Sequence, residues 1–270
     1  MAKHGGFTLV ELITVVILLG ILSVGVTSFI TYGSRIFADS TATDQIISQS
    51  RFAIERMTRE IRSALPNSVR TDSGSDYQCI EFIPIQASAS YIDIPTFPET
   101  ARNSATVFNP TPNVSGSGFT MLVYPLQPSD AYVDNSQSIA KAFAVNSVSP
   151  GPSDDTKVVR FQRTVLFLES SPSKRFYLVT GAVSYCFEGD GRLRRYSGYR
   201  WDNALQPGPS LMGTGVLMSE GIVNDLNDDP PIELTPSTLV NNAMVHLQPE
   251  YQLGSASLRY QHQVQVINVP

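Results

Sequence analysis

Hydrophobic residues crowd the start of the chain, and between Leu12 and Ser34 no charged residue occurs. A helix of about 20 such residues is enough to cross a hydrocarbon core. One carboxylate, Glu11, sits inside the apolar run near its beginning. Carried to mid-bilayer, an ionised side chain costs about 2.5 to 3.5 kcal/mol, so this one calls for a partner. Beyond Ser34 the pattern turns half-apolar: Ile47, Ile54, Met57, Ile61 and Leu65 recur at spacings of three, four or seven. Arg51, Glu55 and Arg59, and separately Arg56 and Glu60, fall on other faces with opposite charges four residues apart. No proline intervenes before Pro66, so a single helix is predicted over residues 7–65. About 7–30 form its transmembrane segment, and its second half is amphipathic, with a stripe that needs a sheet to lie on.

From Val69 onward the pattern switches to short strands and loops. Strands are expected over 78–84, 119–124, 157–162, 175–187, 192–199, 215–222, 238–248 and 263–269. Glu188-Gly189-Asp190-Gly191 marks a hairpin, since Gly and Asp tolerate the positive φ such turns need. Residues 92–118 and 204–210, rich in Pro and Ser, read as loops or insertions. These elements predict an α+β protein: a long N-terminal helix whose amphipathic half packs on an antiparallel sheet in a head with long loops, residues 66–270.

Composition adds limits. The formal net charge is −5 and only 16% of residues are charged, which argues against a nucleic-acid binder. Arg51, Arg56, Arg59 and Arg62 are interleaved with glutamates and read as a solvated helix face. Cys79 and Cys186 are far apart in sequence with no CxxC or Cys/His cluster near either, and outside the cytoplasm one disulfide is the simplest reading. Two buried free thiols are the alternative.

The inventory for catalysis is thin: the histidines are His4, His246 and His262, and no HExxH, GxSxG or GxxxxGK[ST] pattern occurs. No enzyme activity and no catalytic residue are expected. Asp225, Asp228 and Asp229 offer hard oxygen ligands but lack the DxDxDG spacing of a calcium loop, so no cofactor is expected and calcium is a weak alternative. Trp201 with Tyr196, Tyr199 and Arg200 suits either stacking on a ligand or simple packing.

Three readings of the N terminus compete. A secretory signal has a shorter apolar core and a small-x-small exit, which Gly25-Val26-Thr27-Ser28 matches poorly. A plain anchor leaves Glu11 unexplained. A leader cut ahead of the apolar segment explains both the length and the charge. Through Gly5-Gly6-Phe7-Thr8-Leu9-Val10-Glu11 the chain resembles the type IV pilin family, including the pseudopilins of type II secretion. The resemblance implies a leader of residues 1–6, cleavage between Gly6 and Phe7 by a prepilin peptidase, N-methylation of Phe7 and a subunit-assembly role for Glu11. A helix beginning at Phe7 puts Glu11 one turn along, where the helix dipole favours a carboxylate by about 0.3 to 1 kcal/mol. A stagger of about one turn between two such helices pairs this carboxylate with the neighbour's α-amine. Many family members carry a proline in the membrane half; this chain has Ser28 there, with Gly20 in mid-segment.

The run 51–62, Pro66-Asn67-Ser68-Val69-Arg70, the arm Gly191-Arg192-Leu193-Arg194-Arg195-Tyr196 and the ending Asn268-Val269-Pro270 resemble the large minor pilins of the mannose-sensitive haemagglutinin type. J-type pseudopilins share the length and the arginine-rich helix end. The resemblance implies a non-enzymatic subunit held in the bacterial inner membrane, its head periplasmic, then built into a surface pilus among other pilin and minor pilin subunits, at or near the tip. A tip adhesin with a glycan or DNA held in the head loops is a further alternative.

Overall fold

The computed structural model describes residues 6, 8–133, 137–238, 241–254 and 256–266. Helix α1 covers Leu9–Arg62, and Phe7 lies outside the described residues. The helix stops short of the expected 65 because pairing begins there: Ala64 bridges Pro84, and the Leu65 amide donates to the Ile83 carbonyl at 2.7 Å. Pro66 follows directly, and a residue before proline is biased away from helical backbone.

The chain forms two compact units, one ending at Ser48 and the other beginning at Gln49. The amphipathic turns of α1 thus belong with the strands. Their buried face is Ser50, Ala53, Ile54, Met57, Thr58 and Ile61. On the flank, Arg56 pairs with Glu60 at 3.0 Å, and Glu60 also accepts from Arg195 at 2.9 Å.

The strands are β1 (Arg70–Ser73), β2 (Tyr77–Phe82), β3 (Ala87–Asp93), β4 (Arg102–Phe108), β5 (Thr120–Val123), β6 (Ile139–Ala140), β7 (Ala142–Pro150) and β8 (Thr156–Phe167). They continue as β9 (Arg175–Val179), β10 (Val183–Glu188), β11 (Arg192–Ser197), β12 (Val216–Glu220), β13 (Ile232–Thr235), β14 (Ala243–Leu247), β15 (Glu250–Leu253), β16 (Ala256–Arg259) and β17 (His262–Val266). A five-stranded antiparallel sheet runs β1-β2-β10-β11-β12, and Arg195, the partner of Glu60, stands on its β11. A second sheet runs β4-β3-β9-β5-β7-β8-β6, and β4 pairs with β8 as well, so six antiparallel strands close on themselves. Closure removes two sheet edges. Register shifts at Tyr91/Asp93, Arg102/Ser104 and Val145/Ser147 supply the local bends that closure needs. Its interior is filled by Phe143, Phe161, Phe167 and Phe176 among smaller aliphatics, with Phe143 and Phe167 edge to face at 4.9 Å. A three-stranded sheet, β13-β14-β17, and the hairpin β15-β16 complete the head.

The long helix and antiparallel β-rich head are the α+β architecture expected. Three details correct the sequence reading. The strand expected over 175–187 is two strands in different sheets, broken at Thr180-Gly181-Ala182, where the chain leaves one sheet for the other. Residues 92–118 are not all loop: β4 lies within them, hidden by flanking prolines and by alternation that buries only Ala105 and Val107. The strand expected over 238–248 is β14, with 239–240 outside the described residues, and of 263–269 the described part is β17. The turn at Glu188 forms as a three-residue loop closed by the Glu188–Arg192 pair, with Gly191 at φ 78°, the left-handed position that only glycine takes freely.

A buried polar cluster ties the five-stranded sheet to the loops. Glu81, fully buried, accepts from Arg70 at 2.5 Å and from the Tyr199 hydroxyl at 2.7 Å, and Arg70 lies 3.5 Å over the Tyr132 ring. Burial outweighs Arg70 here and pushes the Glu81 carboxyl up. Glu60 goes the other way: burial raises it, but hydrogen bonds and attraction from Arg195 and Arg56 win and hold it below the ordinary value of 4.5. A lowered carboxyl contributes stability that is complete above its unfolded value and is lost as pH falls through the folded one. Glu60→Gln is therefore expected to cost about 1.5 to 3 kcal/mol at pH 7, a charged hydrogen bond's worth. The gap to the unsubstituted protein should narrow as pH falls below the ordinary carboxyl value of 4.5, read by urea unfolding at a series of pH values; a gap independent of pH contradicts the assignment.

Candidate functional site: the N-terminal segment

Thr8 stands at the entrance of α1, and its Oγ1 accepts the Glu11 amide at 3.3 Å while its carbonyl accepts the Leu12 amide at 3.2 Å. This is an N-cap, which satisfies one of the free amides of the first turn. The signal was available as the spacing Thr8-x-x-Glu11, the sequence form of a capping box, and the sequence reading passed over it. Capping fixes where the helix begins and so places Glu11 in its first turn, at the positive end of the dipole.

Glu11 is exposed, and among the described residues nothing pairs with its carboxylate. Its surroundings are apolar: Leu9, Val10, Leu12, Ile13, Val15 and Val16 are all exposed on the same stretch. The hydroxyls farther along turn back onto the helix, Thr14 donating to Glu11 O at 3.0 Å, Thr27 to Ser23 O at 2.8 Å, Thr31 to Thr27 O at 2.9 Å and Ser34 to Ile30 O at 2.7 Å. Side chains that satisfy themselves in this way suit a hydrocarbon surrounding, where water supplies nothing. The helix runs unbroken through Gly20 and Ser28, and a Cβ at Gly20 would meet nothing within 4 Å. It is one helix long and apolar enough to cross a membrane. Among the described residues Glu11 is thus a carboxylate without a partner on a lipid-compatible surface, in the first turn of the helix. Gly6, the other residue expected at the cleavage point, is exposed, with open space around it.

The remaining residues singled out in the sequence are used structurally. Cys79 and Cys186 are directly opposite on β2 and β10, with Cα atoms 4.1 Å apart, and are joined as a disulfide. Asp225 accepts the amides of Asn227 and Asp228, a turn that lowers its carboxyl through those backbone hydrogen bonds. Asp229 instead pairs with Arg259, and among the described residues no cluster of three His, Cys, Asp or Glu side chains converges as a metal site. Trp201 meets Tyr132 edge to face at 6.3 Å, the Tyr196 hydroxyl donates to Glu188 at 2.6 Å, and Arg200 pairs with Asp202 at 2.9 Å. These aromatics pack; they do not form an open stacking face. His246 and His262 sit on the paired strands β14 and β17, one step apart in register.

Comparison with known proteins bears on this same segment. A family model described as the prokaryotic N-terminal methylation motif matches residues 1–27. No curated protein and no solved structure matches the chain. The match takes in Gly6, Glu11 and most of the membrane-length run, and ends at residue 27, ahead of the head. The chain therefore has a type IV pilin-like N terminus, carried on a membrane-capable helix and followed by a β-rich head.

Proposed function

We propose that this chain is a non-enzymatic minor pilin, resembling the large minor pilin O of the mannose-sensitive haemagglutinin pilus. Prepilin peptidase cuts it between Gly6 and Phe7, Phe7 is N-methylated, and the inner membrane stores it with its head in the periplasm. It then enters the pilus through its N-terminal helix. The observation that carries this reading is the coincidence of the methylation motif with a Glu11 that has no partner among the described residues, in the first turn of a membrane-length helix. A head of several sheets is hard to repeat along a close-packed shaft, which favours a place at or near the tip, where a minor subunit primes assembly. A J-type pseudopilin of type II secretion would use the same N-terminal chemistry, and the two differ in which polymer contains the protein.

Processing has its own test. Gly6 must admit the peptidase to the bond that follows it, and any side chain there enlarges the residue at the cut. Gly6→Ala is expected to leave at least tenfold more uncut precursor than the unsubstituted chain on an immunoblot of whole cells. Equal processing of the two would remove the cleavage assignment.

A further inference from the structure

A groove of about 590 Å³ lies between the last turns of α1 and the segment leading into β17, walled by Ile54, Thr58, Tyr260 and His262 and rimmed by Arg51, Arg59 and Arg62. It is within the range of sites that take a ligand or a few side chains. Arg56, on the neighbouring face, is paired with Glu60, whereas none of the three rim arginines forms an ion pair among the described residues. Thr58 is 7% exposed, and its Oγ1 and the Nε2 of His262 are buried without a hydrogen-bond partner. Buried polar atoms of this kind normally have a partner, so both are suited to take one from a polar ligand in the groove. Tyr260 is held against the helix by its hydroxyl on Ser50 at 2.8 Å, so the wall is built rather than loose. Beside it β17 ends its sheet, with β14 as its one strand partner among the described residues.

We infer that this groove binds an extended, acidic segment of another protein chain, with carboxylates four residues apart and a non-acidic residue midway. The spacing follows from the two repeats. Arg51 and Arg59 are about 12 Å apart along the helix at 1.5 Å per residue. In an extended segment, positions i and i+4 are about 13 Å apart and project on the same side. Arg62 joins Arg59 one turn on, giving one end of the segment two guanidiniums. Glu55 also lines the groove, between Arg51 and Arg59, and repels an acid at i+2. That carboxylate argues against polyanions of continuous charge, since a nucleic-acid backbone has no uncharged position to set opposite it. Backbone groups of an extended segment supply the partners that Thr58 and His262 lack, in the manner of strand addition at an exposed edge. This site is separate from the N-terminal segment and stands whether or not Glu11 acts in assembly.

The test uses the full processed chain in non-ionic detergent and fluorescein-labelled Glu-Thr-Val-Thr-Glu, with the reordered Val-Thr-Glu-Thr-Glu as control. The first peptide is expected to bind at least tenfold more tightly than the second, and to lose at least tenfold in affinity to Arg51→Gln/Arg59→Gln. Both residues are exposed, so the thermal midpoint should not move. Thr58→Val, which removes the orphaned hydroxyl, should weaken binding without a change in salt dependence. Equal binding of the two peptides overturns the proposal, as does binding indifferent to the arginines. Tighter competition by oligothymidylate or by phosphatidylglycerol micelles assigns the arginines to a different ligand and overturns it too, and self-association that the arginine variant abolishes does the same.

Discussion

Glu11→Ala is expected to leave the leader cut and the protein in the membrane, yet to lower its amount in sheared pili by at least a hundredfold. The carboxylate lies in the first turn of α1, on an apolar surface, and among the described residues nothing beside it neutralises a charge there. In the proposed assembly its partner is the α-amine of Phe7 on the next subunit, reached by a stagger of about one helical turn. Removing one member of a pair buried in an apolar layer costs about 3 to 5 kcal/mol, because the other charge is left without compensation. Each 1.4 kcal/mol is tenfold, so the loss corresponds to roughly two to three and a half decades in incorporation. Membrane insertion moves the opposite way: deleting the charge makes the segment easier to bury in lipid by up to about 2.5 to 3.5 kcal/mol. Loss of incorporation in a variant that inserts at least as well therefore isolates the polymer contact. Wild-type incorporation of Glu11→Ala would contradict the ion pair.

Removal of the disulfide is expected to have the second largest effect. Cys79 and Cys186 are 107 residues apart in sequence but directly opposite on adjacent strands of the five-stranded sheet. A cross-link closing a loop of about 100 residues restricts the unfolded chain by up to about 4.7 kcal/mol, and removal of native disulfides costs about 2 to 5 kcal/mol in practice. Both sulfurs are in the core beside Tyr196 and Met212, so the double alanine variant keeps the site apolar where serine would bury two hydroxyls. Cys79→Ala/Cys186→Ala should unfold at distinctly lower urea concentration than the oxidised parent, and the parent treated with reductant should approach it. A midpoint that moves with neither change would show that the bond contributes no stability.

How much was legible in the sequence differs from element to element. The N-terminal helix was readable, and its end to within about one turn, because the cues are local: a charge-free run, then apolar spacings of three and four, then Pro66. The β10–β11 hairpin was readable because its turn demands glycine at Gly191. The closed six-stranded sheet was not, because its strands carry little contrast. In β3 the inward residues Ala87 and Tyr91 are separated by Ser and Ala, and β4 finds β8 across an intervening stretch that includes three other strands. Closure is a property of distant pairs. At the N terminus the sequence pointed to Gly6 and Glu11 by motif, and the Thr8 cap explains physically why the helix starts where Glu11 falls in its first turn. The arginines of α1 show the limit of pattern reading. Arg51, Glu55 and Arg59 have the spacing of i,i+4 pairs, yet the ion pairs form at Arg56–Glu60 and across to Arg195, leaving the others around a groove. One of the two arginines on Glu60 comes from a strand 135 residues away, which no local spacing shows.

The most direct test is the mass of the N-terminal peptide of this protein recovered from sheared, purified surface filaments. A peptide that begins at Phe7 and carries one methyl group on its amine is the predicted result, since it requires cleavage after Gly6, modification and incorporation together. A peptide that still begins at Met1, or a protein found in the membrane and never in the sheared fraction, would contradict the account.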